Sequence, residues 1–157
     1  MRSFTSNRRG FSLIELVIVV VILGIIGAIA IPRMSRGAEG ASESALRTNL
    51  QALRSAIELY AAEHGGAYPS VANFEDQMLL FSDHTGATNA TNTGDYIYGP
   101  YLRAIPPLPV GANRGDSGVA AADGAGVGWI YNATTGAIQA NTENTEVNGA
   151  GVPWNSF

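Results

Sequence analysis

One stretch near the start of the chain, residues 8–32, decides the fold: RRGFSLIELVIVVVILGIIGAIAIP. Its run 11–31 is 21 residues long, and only Ser12 and Glu15 interrupt the apolar and glycine residues. At about 1.5 Å per residue, a helix of this length spans a hydrocarbon core of roughly 30 Å. A helix that is apolar on all sides could instead be buried in a large protein, but a chain of 157 residues is too short for that. The stretch therefore predicts a membrane-spanning helix.

The charges limit the function classes. Nine basic residues, all arginine, stand against 13 acidic ones, giving a net charge of −4 at pH 7. No broad cationic surface can form, so we expect no nucleic-acid partner for the isolated chain. Since there is no cysteine, disulfides, cysteine-ligated zinc and thiol nucleophiles are excluded. Arg8 and Arg9 favour a cytoplasmic N-terminus, although Arg33 and Arg36 beyond the apolar run weaken this bias.

Beyond the apolar run, the hydrophobic period becomes that of an amphipathic helix. Large apolar side chains recur three or four residues apart: Leu46, Leu50, Leu53, Ile57 and Tyr60. The glycines after His64 predict a C-terminal cap. Pro32 lies inside the combined helix and is expected to kink it. We predict one bent helix over residues 11–64, with a membrane half (11–31) and an amphipathic half (32–64).

Residues 65–157 predict a small globular head, because short apolar pieces alternate there with turns rich in Gly, Asn and Thr. The clearest element is a β-hairpin over residues 128–141 that turns at Asn132–Gly136. Predicted strands are 96–98 and 127–131, and predicted loops are 82–95 and 111–126. The head has too few large apolar residues to bury a core alone, so the amphipathic helix should pack on its sheet. The predicted class is α+β, a long N-terminal helix packed on a small antiparallel sheet.

The junction between basic leader and apolar run resembles the type IV prepilin signature. The leader, residues 1–10, ends in Gly10, and Phe11 begins the mature chain. Glu15 is then the fifth mature residue and Pro32 the twenty-second. The resemblance implies that a membrane peptidase cuts after Gly10 on the cytoplasmic side and methylates the new amino group of Phe11. It also implies the pilin-like fold, in which the outer half of the helix packs on a small antiparallel sheet.

Glu15 needs a physical explanation, because a carboxylate at the centre of a membrane helix costs about 2.5–3.5 kcal/mol. One interpretation is local: Ser12 to Glu15 matches the S-x-x-E capping box, in which the carboxylate accepts backbone N–H groups at the positive helix end. The resemblance implies a second role, in which Glu15 of one subunit pairs with the amino group of Phe11 in a neighbour within a filament. It also implies that the assembled helix loosens between Gly24 and Pro32.

The head resembles, more loosely, the pseudopilins of type II secretion. Tyr68-Pro69 follows the helix, and residues 99–109 (GPYLRAIPPLP) precede the hairpin. The resemblance implies a filament subunit without enzymatic activity, anchored in the bacterial inner membrane with its head outside the cytoplasm. Identical subunits, membrane lipid, the peptidase, an inner-membrane assembly platform and a cytoplasmic ATPase are the implied partners, and the product is an extracytoplasmic filament.

The major subunits of that system hold their C-terminal loop with calcium. Hard oxygen ligands are available here as well: Asp116, Asp123, Asn141, Glu143 and Glu146. They match no ligand motif, so solvated acidic loops are the alternative. The Gly/Asn-rich insert at 111–126 and the many C-terminal asparagines also depart from the family pattern. Calcium is a candidate ligand, and we expect no other cofactor.

Other functions stay open. A type IV pilus subunit for adhesion, motility or DNA uptake would share the signature, and a monomeric head on a membrane stalk would share the anchor. Residues 8–13 also loosely resemble a twin-arginine export signal, with an A-x-A cleavage site at 28–30, which would release a soluble protein or enzyme. His64 and His84 lack ligand spacing and are predicted to be solvated or at a helix end. No catalytic motif is visible.

Overall fold

The computed structural model describes residues 11–157, except for the side chains of residues 29–36. The elements, in chain order, are helix α1 (Leu13–Glu63), helix α2 (Phe74–Leu79), strands β1 (Phe81–Ser82), β2 (Thr88–Asn89), β3 (Gly118–Ala120), β4 (Val127–Tyr131) and β5 (Ile138–Ala140), and a 3₁₀ helix (Trp154–Ser156). The chain forms two compact units that divide between Ala38 and Glu39. This is an α+β fold, as the sequence predicts.

Helix α1 ends where the glycines predict. The N–H of Gly66 donates to the carbonyl of Ala61 at 2.7 Å, which closes the last turn as in a Schellman motif. Gly65 and Gly66 have φ angles of 65° and 90°, a left-handed conformation that glycine adopts without a Cβ clash. The helical residues stop at Glu63, one residue before the predicted end.

The core of the unit that begins at Glu39 joins the amphipathic face of α1 to the sheet. All five predicted stripe residues, Leu46, Leu50, Leu53, Ile57 and Tyr60, are buried. They form one cluster with side chains from α2, the loop before β3, the strands and the chain end, including Phe74, Met78, Leu108, Trp129, Tyr131, Ile138 and Trp154. Each large apolar side chain buried in this way stabilises the fold by about 1.5–3 kcal/mol. The prediction that the stripe packs on the sheet is confirmed.

The predicted hairpin is also confirmed. Strands β4 and β5 pair antiparallel, with Trp129 opposite Ala140 and Tyr131 opposite Ile138. The turn is closed by the N–H of Gly136, which donates to the carbonyl of Asn132 at 2.9 Å. Gly136 has a φ of 71°, and a Cβ there would lie 2.5 Å from the ring of Tyr68, so this position requires glycine.

The predicted antiparallel pairing is present in β1–β2 and β4–β5, but β3 pairs parallel with β4 and makes the three-stranded sheet mixed. Strand β3 lies inside the predicted loop 111–126. Its three residues, Gly-Val-Ala, carry no hydrophobic alternation. Pairing depends instead on close backbone approach, since a Cβ on Gly118 would lie 2.5 Å from the carbonyl oxygen of Gly126. Such a contact leaves no sequence period.

The second sheet and the second helix were not predicted. Strands β1 and β2 pair antiparallel, Phe81 with Asn89, and β2 lies wholly in the predicted loop 82–95. The predicted strand 96–98 contributes only an isolated bridge between Tyr98 and Ser82. Helix α2 is six residues long. Elements of two or six residues are shorter than the window over which periodicity can be recognised.

Candidate functional site

Glu15 lies in the first turn of α1, where it takes part in the helix start. Its Oε2 atom accepts the backbone N–H of Ser12 at 3.4 Å. The N–H groups of Glu15 and Leu16 donate to the Ser12 carbonyl at 3.1 and 3.2 Å. This is the carboxylate half of a capping box, and a negative charge is favourable at this end of the helix dipole. The local interpretation of Glu15 is confirmed to that extent.

Gly10, the predicted cleavage residue, lies outside the described residues. Phe11, which would begin the mature chain, is exposed. Among the described side chains, those of residues 11–28 and 37–157, the one salt bridge joins Arg47 to Glu43, so Glu15 has no cationic partner among them. Processing at Gly10 and pairing between Glu15 and a neighbouring Phe11 amine stay predictions.

The apolar segment, which we define as residues 11–26, exposes large apolar side chains on all sides. Thirteen of them, from Phe11 to Ile26, are between 48% and 82% exposed. Water-exposed apolar area is unfavourable by about 25 cal/mol per Å². A contiguous apolar surface of this kind marks a site that meets lipid or another protein.

Gly24 and Pro32, the other predicted assembly residues, lie within α1. A Cβ on Gly24 would meet nothing within 4 Å, so no contact in the described chain requires glycine there. The helical residues continue through Pro32, whose side chain lies outside the description, and the predicted kink remains untested. None of the helices, over the residues described, combines the length and apolarity needed to cross a membrane. The membrane half, 11–31, stays a prediction.

The acidic candidates lie mostly together. Asp123, Glu143 and Glu146 line one cavity of about 420 Å³ with Asn141, whereas Asp116 is not among its lining residues. Nowhere in the described part of the chain do three acidic or histidine side chains come close enough to hold a metal ion. Both oxygens of Glu146 accept backbone N–H groups, those of Ala112 at 2.6 Å and Glu143 at 2.9 Å. Calcium binding at these residues stays a prediction.

The two histidines differ in their surroundings. His84 is exposed, as predicted, but His64 is buried at the end of α1. Its ring stacks on Tyr60, and its Nδ1 and Nε2 atoms lie 2.8 and 2.9 Å from the carbonyl oxygens of Tyr60 and Asp83. The Ser82 hydroxyl lies 3.2 Å from Nε2, but Ser82 is fully buried and cannot reach a substrate. The pair joins the helix end to β1, a structural role.

Comparison with known proteins adds one finding at the start of the chain. Residues 5–31 match the prokaryotic N-terminal methylation motif. This type IV pilin-like signature includes Gly10, Phe11, Glu15 and the apolar segment. No curated protein and no solved structure matches the chain. The comparison therefore identifies the N-terminal signature and does not extend to the head.

Proposed function

We propose that this chain is a structural subunit of a type II secretion pseudopilus, made as a membrane-inserted prepilin. In this proposal it is cleaved after Gly10, methylated on the amino group of Phe11 and assembled into a helical filament. The methylation motif over residues 5–31 is the observation that carries the proposal. In this chain the motif covers the junction between the basic leader and the apolar run, where the proposed cleavage takes place.

The apolar segment supports both stages of the proposal, insertion into the membrane and assembly into a filament. Its thirteen exposed apolar side chains need a cover. In the inner membrane, lipid supplies that cover, with the N-terminus in the cytoplasm and the head outside. In the filament, identical helices supply it. Lipid is as apolar as a neighbouring helix, so moving a subunit from the membrane into the filament gains little hydrophobic free energy. Side-chain packing and polar pairing between helices must therefore drive assembly.

Glu15 is the polar group available for pairing between neighbouring helices. Its bond to the Ser12 N–H is 3.4 Å long, whereas strong N–H···O bonds are about 2.7–3.2 Å. The carboxylate is therefore free to take a stronger partner, the Phe11 amine of a neighbour. A carboxylate left unpaired among apolar helices is penalised, so the pair selects the register in which each subunit docks.

Features of the head favour the pseudopilus over the alternative, a type IV pilus subunit. The order Tyr68-Pro69, then residues 99–109, then the β4–β5 hairpin resembles secretion pseudopilins. The chain has no cysteine to close the disulfide loop of many adhesive pilins. In the proposed setting an assembly platform and a cytoplasmic ATPase add subunits at the filament base, and the subunit itself catalyses no reaction.

Processing can be tested at a single amine. The chain contains no lysine, so Phe11 would carry the only primary amine of a chain cleaved after Gly10. We expect intact mass and N-terminal sequencing to show a start at methylated Phe11 when a prepilin peptidase is co-expressed. Without the peptidase, or with Gly10→Val, the leader should remain attached.

Two results would contradict the proposal. A chain that starts at Ile31 would support the twin-arginine alternative instead. Filaments built from chains that retain residues 1–10 would show that cleavage is not required. Deleting the gene in its native host and measuring secretion against surface motility then separates the pseudopilus from the pilus: loss of secretion alone supports the proposal, and loss of motility alone overturns it.

A further inference from the structure

Two stretches that depart from the secretion pseudopilins contact each other in the structure. They are the insert, 111–126, which is rich in Gly and Ala, and the asparagine-rich C-terminal segment, 141–157. We propose that they form one polar clasp, in which side-chain hydrogen bonds hold the C-terminal segment in the role expected of calcium. This inference concerns the fold of the head and does not depend on the proposed filament function.

Glu146 is the first fastening of the clasp, meaning a residue whose hydrogen bonds join the two stretches. Its carboxylate accepts the N–H of Ala112 from the insert and the N–H of Glu143 from its own segment, at 2.6 and 2.9 Å. The approach is close: a Cβ on Gly111 would lie 2.7 Å from the Thr142 methyl carbon and 3.1 Å from both Glu146 oxygens. One carboxylate thus joins the two stretches through backbone groups, which are fixed donors.

Asn141 is the second fastening and is buried directly after β5. Its Nδ2 atom donates to the Oδ1 atom of Asp123 and to the carbonyl of Val127, both at 2.7 Å. Its own carbonyl accepts the Nδ2 group of Asn113 at 3.0 Å. Two residues of the insert therefore bind one residue of the C-terminal segment from either side.

Asn148 and Asn155 shape the rest of the segment. The Oδ1 atom of Asn148 accepts the N–H groups of Ala150 and Val152, and its Nδ2 atom donates to Glu43 on α1 at 3.1 Å. Hydrogen bonds first from Arg47 and then from Asn148 hold the pKa of Glu43 below its ordinary value, so this acceptor stays charged. Asn155 donates to the carbonyl of Thr142 at 3.1 Å and to Asn144 at 2.8 Å.

The clasp holds an apolar anchor in place. Trp154 follows the loop shaped by Asn148 and is buried in the core cluster. The backbone N–H of Trp154 donates to the backbone carbonyl of Glu146, so a hydrogen bond joins the first fastening directly to the anchor. Releasing the clasp should therefore expose Trp154.

A cation would have to compete with these bonds. The two oxygens of Glu146 and the Oδ1 atom of Asp123 already accept N–H groups. In the described residues, the hydroxyl of Thr142 is the one buried side-chain polar atom without a hydrogen-bond partner, and it lines the same cavity. This neutral hydroxyl suits a water molecule, which needs two to four polar partners, whereas calcium takes six to eight oxygen ligands.

The test uses the full-length chain in detergent. Thermal unfolding should give the same Tm in excess EGTA and in excess calcium chloride. Glu146→Gln places an N–H donor against a backbone N–H, so we expect the Tm to fall by roughly 3–8 °C. Asn141→Asp places a second carboxylate against Asp123 and should lower the Tm similarly. Matched controls are Glu58→Gln and Asn92→Asp, because both residues are exposed and neither side chain appears in a hydrogen bond of the described structure.

Limited proteolysis gives a second measurement that does not need complete unfolding. In the two clasp variants, cleavage within residues 141–157 should accelerate. The tryptophan fluorescence, to which Trp129 and Trp154 both contribute, should shift to longer wavelength as Trp154 becomes exposed. A Tm that rises on adding calcium, with the gain lost in Glu146→Gln, would overturn the proposal in favour of a cation site. Clasp variants that behave like the two controls would overturn it as well.

Discussion

At the scale of single residues, the carboxylate of Glu15 can bind two partners, one in its own chain and one in a neighbouring subunit. Inside its own chain it accepts the Ser12 N–H at the start of α1. In the proposed filament it would bind the Phe11 amine of the next subunit. Both interactions use the same carboxylate, so a substitution must be chosen that removes one and keeps the other.

Glu15→Gln separates the two roles, because glutamine serves in a capping box but carries no charge. We expect the variant to keep its helix start and its membrane insertion. Removing one partner of a buried ion pair costs about 3–5 kcal/mol, so the concentration needed for assembly should rise by roughly 100-fold or more. Sedimentation of filaments and electron microscopy measure the effect.

Glu58→Gln is the control for loss of one negative charge on α1, since Glu58 is exposed. It should assemble like the unchanged chain. If Glu15→Gln also assembles normally, capping alone explains Glu15 and the pairing hypothesis is wrong. Glu15→Leu would then be informative, because it removes the cap too and should shorten the helix start.

At the scale of elements, helix α1 combines two surfaces with different roles. Its apolar segment is exposed on all sides, whereas its later turns bury one stripe against the sheet. Within that stripe Leu53 is fully buried, while Leu59, two turns along the same helix, is 51% exposed. The same chemical change at these two positions therefore measures the value of burial.

Leu53→Ala should lower the free energy of unfolding by about 2–5 kcal/mol, because it leaves a cavity between α1 and the core. Leu59→Ala should change it by no more than about 0.5 kcal/mol. Urea unfolding of the full-length chain in detergent, followed by circular dichroism, gives both values. Equal losses at the two positions would contradict the packing of the stripe described above.

The elements also show how far the sequence alone reaches. The stripe of α1 was predictable because its apolar residues recur with a helical period. The β4–β5 hairpin was predictable because a recognisable turn sequence separates its two strands. Strand β3 was not, since its pairing rests on Gly118 and Gly126 approaching across the chain. At the candidate site, the half capping box at Glu15 was predictable from the four-residue motif that runs from Ser12 to Glu15. The clasp was not, because its bonds between the insert and the C-terminal segment join positions 18 to 34 residues apart.

At the scale of the whole molecule, the proposed processing would change the charge as well as the length. The first ten residues hold three of the nine arginines and none of the 13 acidic residues. The proposed mature chain therefore carries a side-chain charge of −7 rather than −4. Subunits that stack into one filament bring these charges together, and like charges oppose assembly unless salt screens them.

Assembly of the mature subunit should accordingly become more favourable as ionic strength rises from about 0.01 to 0.15 M, over which the Debye length falls from roughly 30 to 8 Å. The critical concentration, measured by sedimentation in a constant detergent, should fall across this range. The Glu15–Phe11 pair would be shielded among apolar helices, so salt should weaken it far less than it weakens repulsion between exposed heads. Filaments that instead dissociate as salt is added would show that attraction between opposite charges on the heads dominates assembly, and the pair at the helix start would then not be the main polar contact.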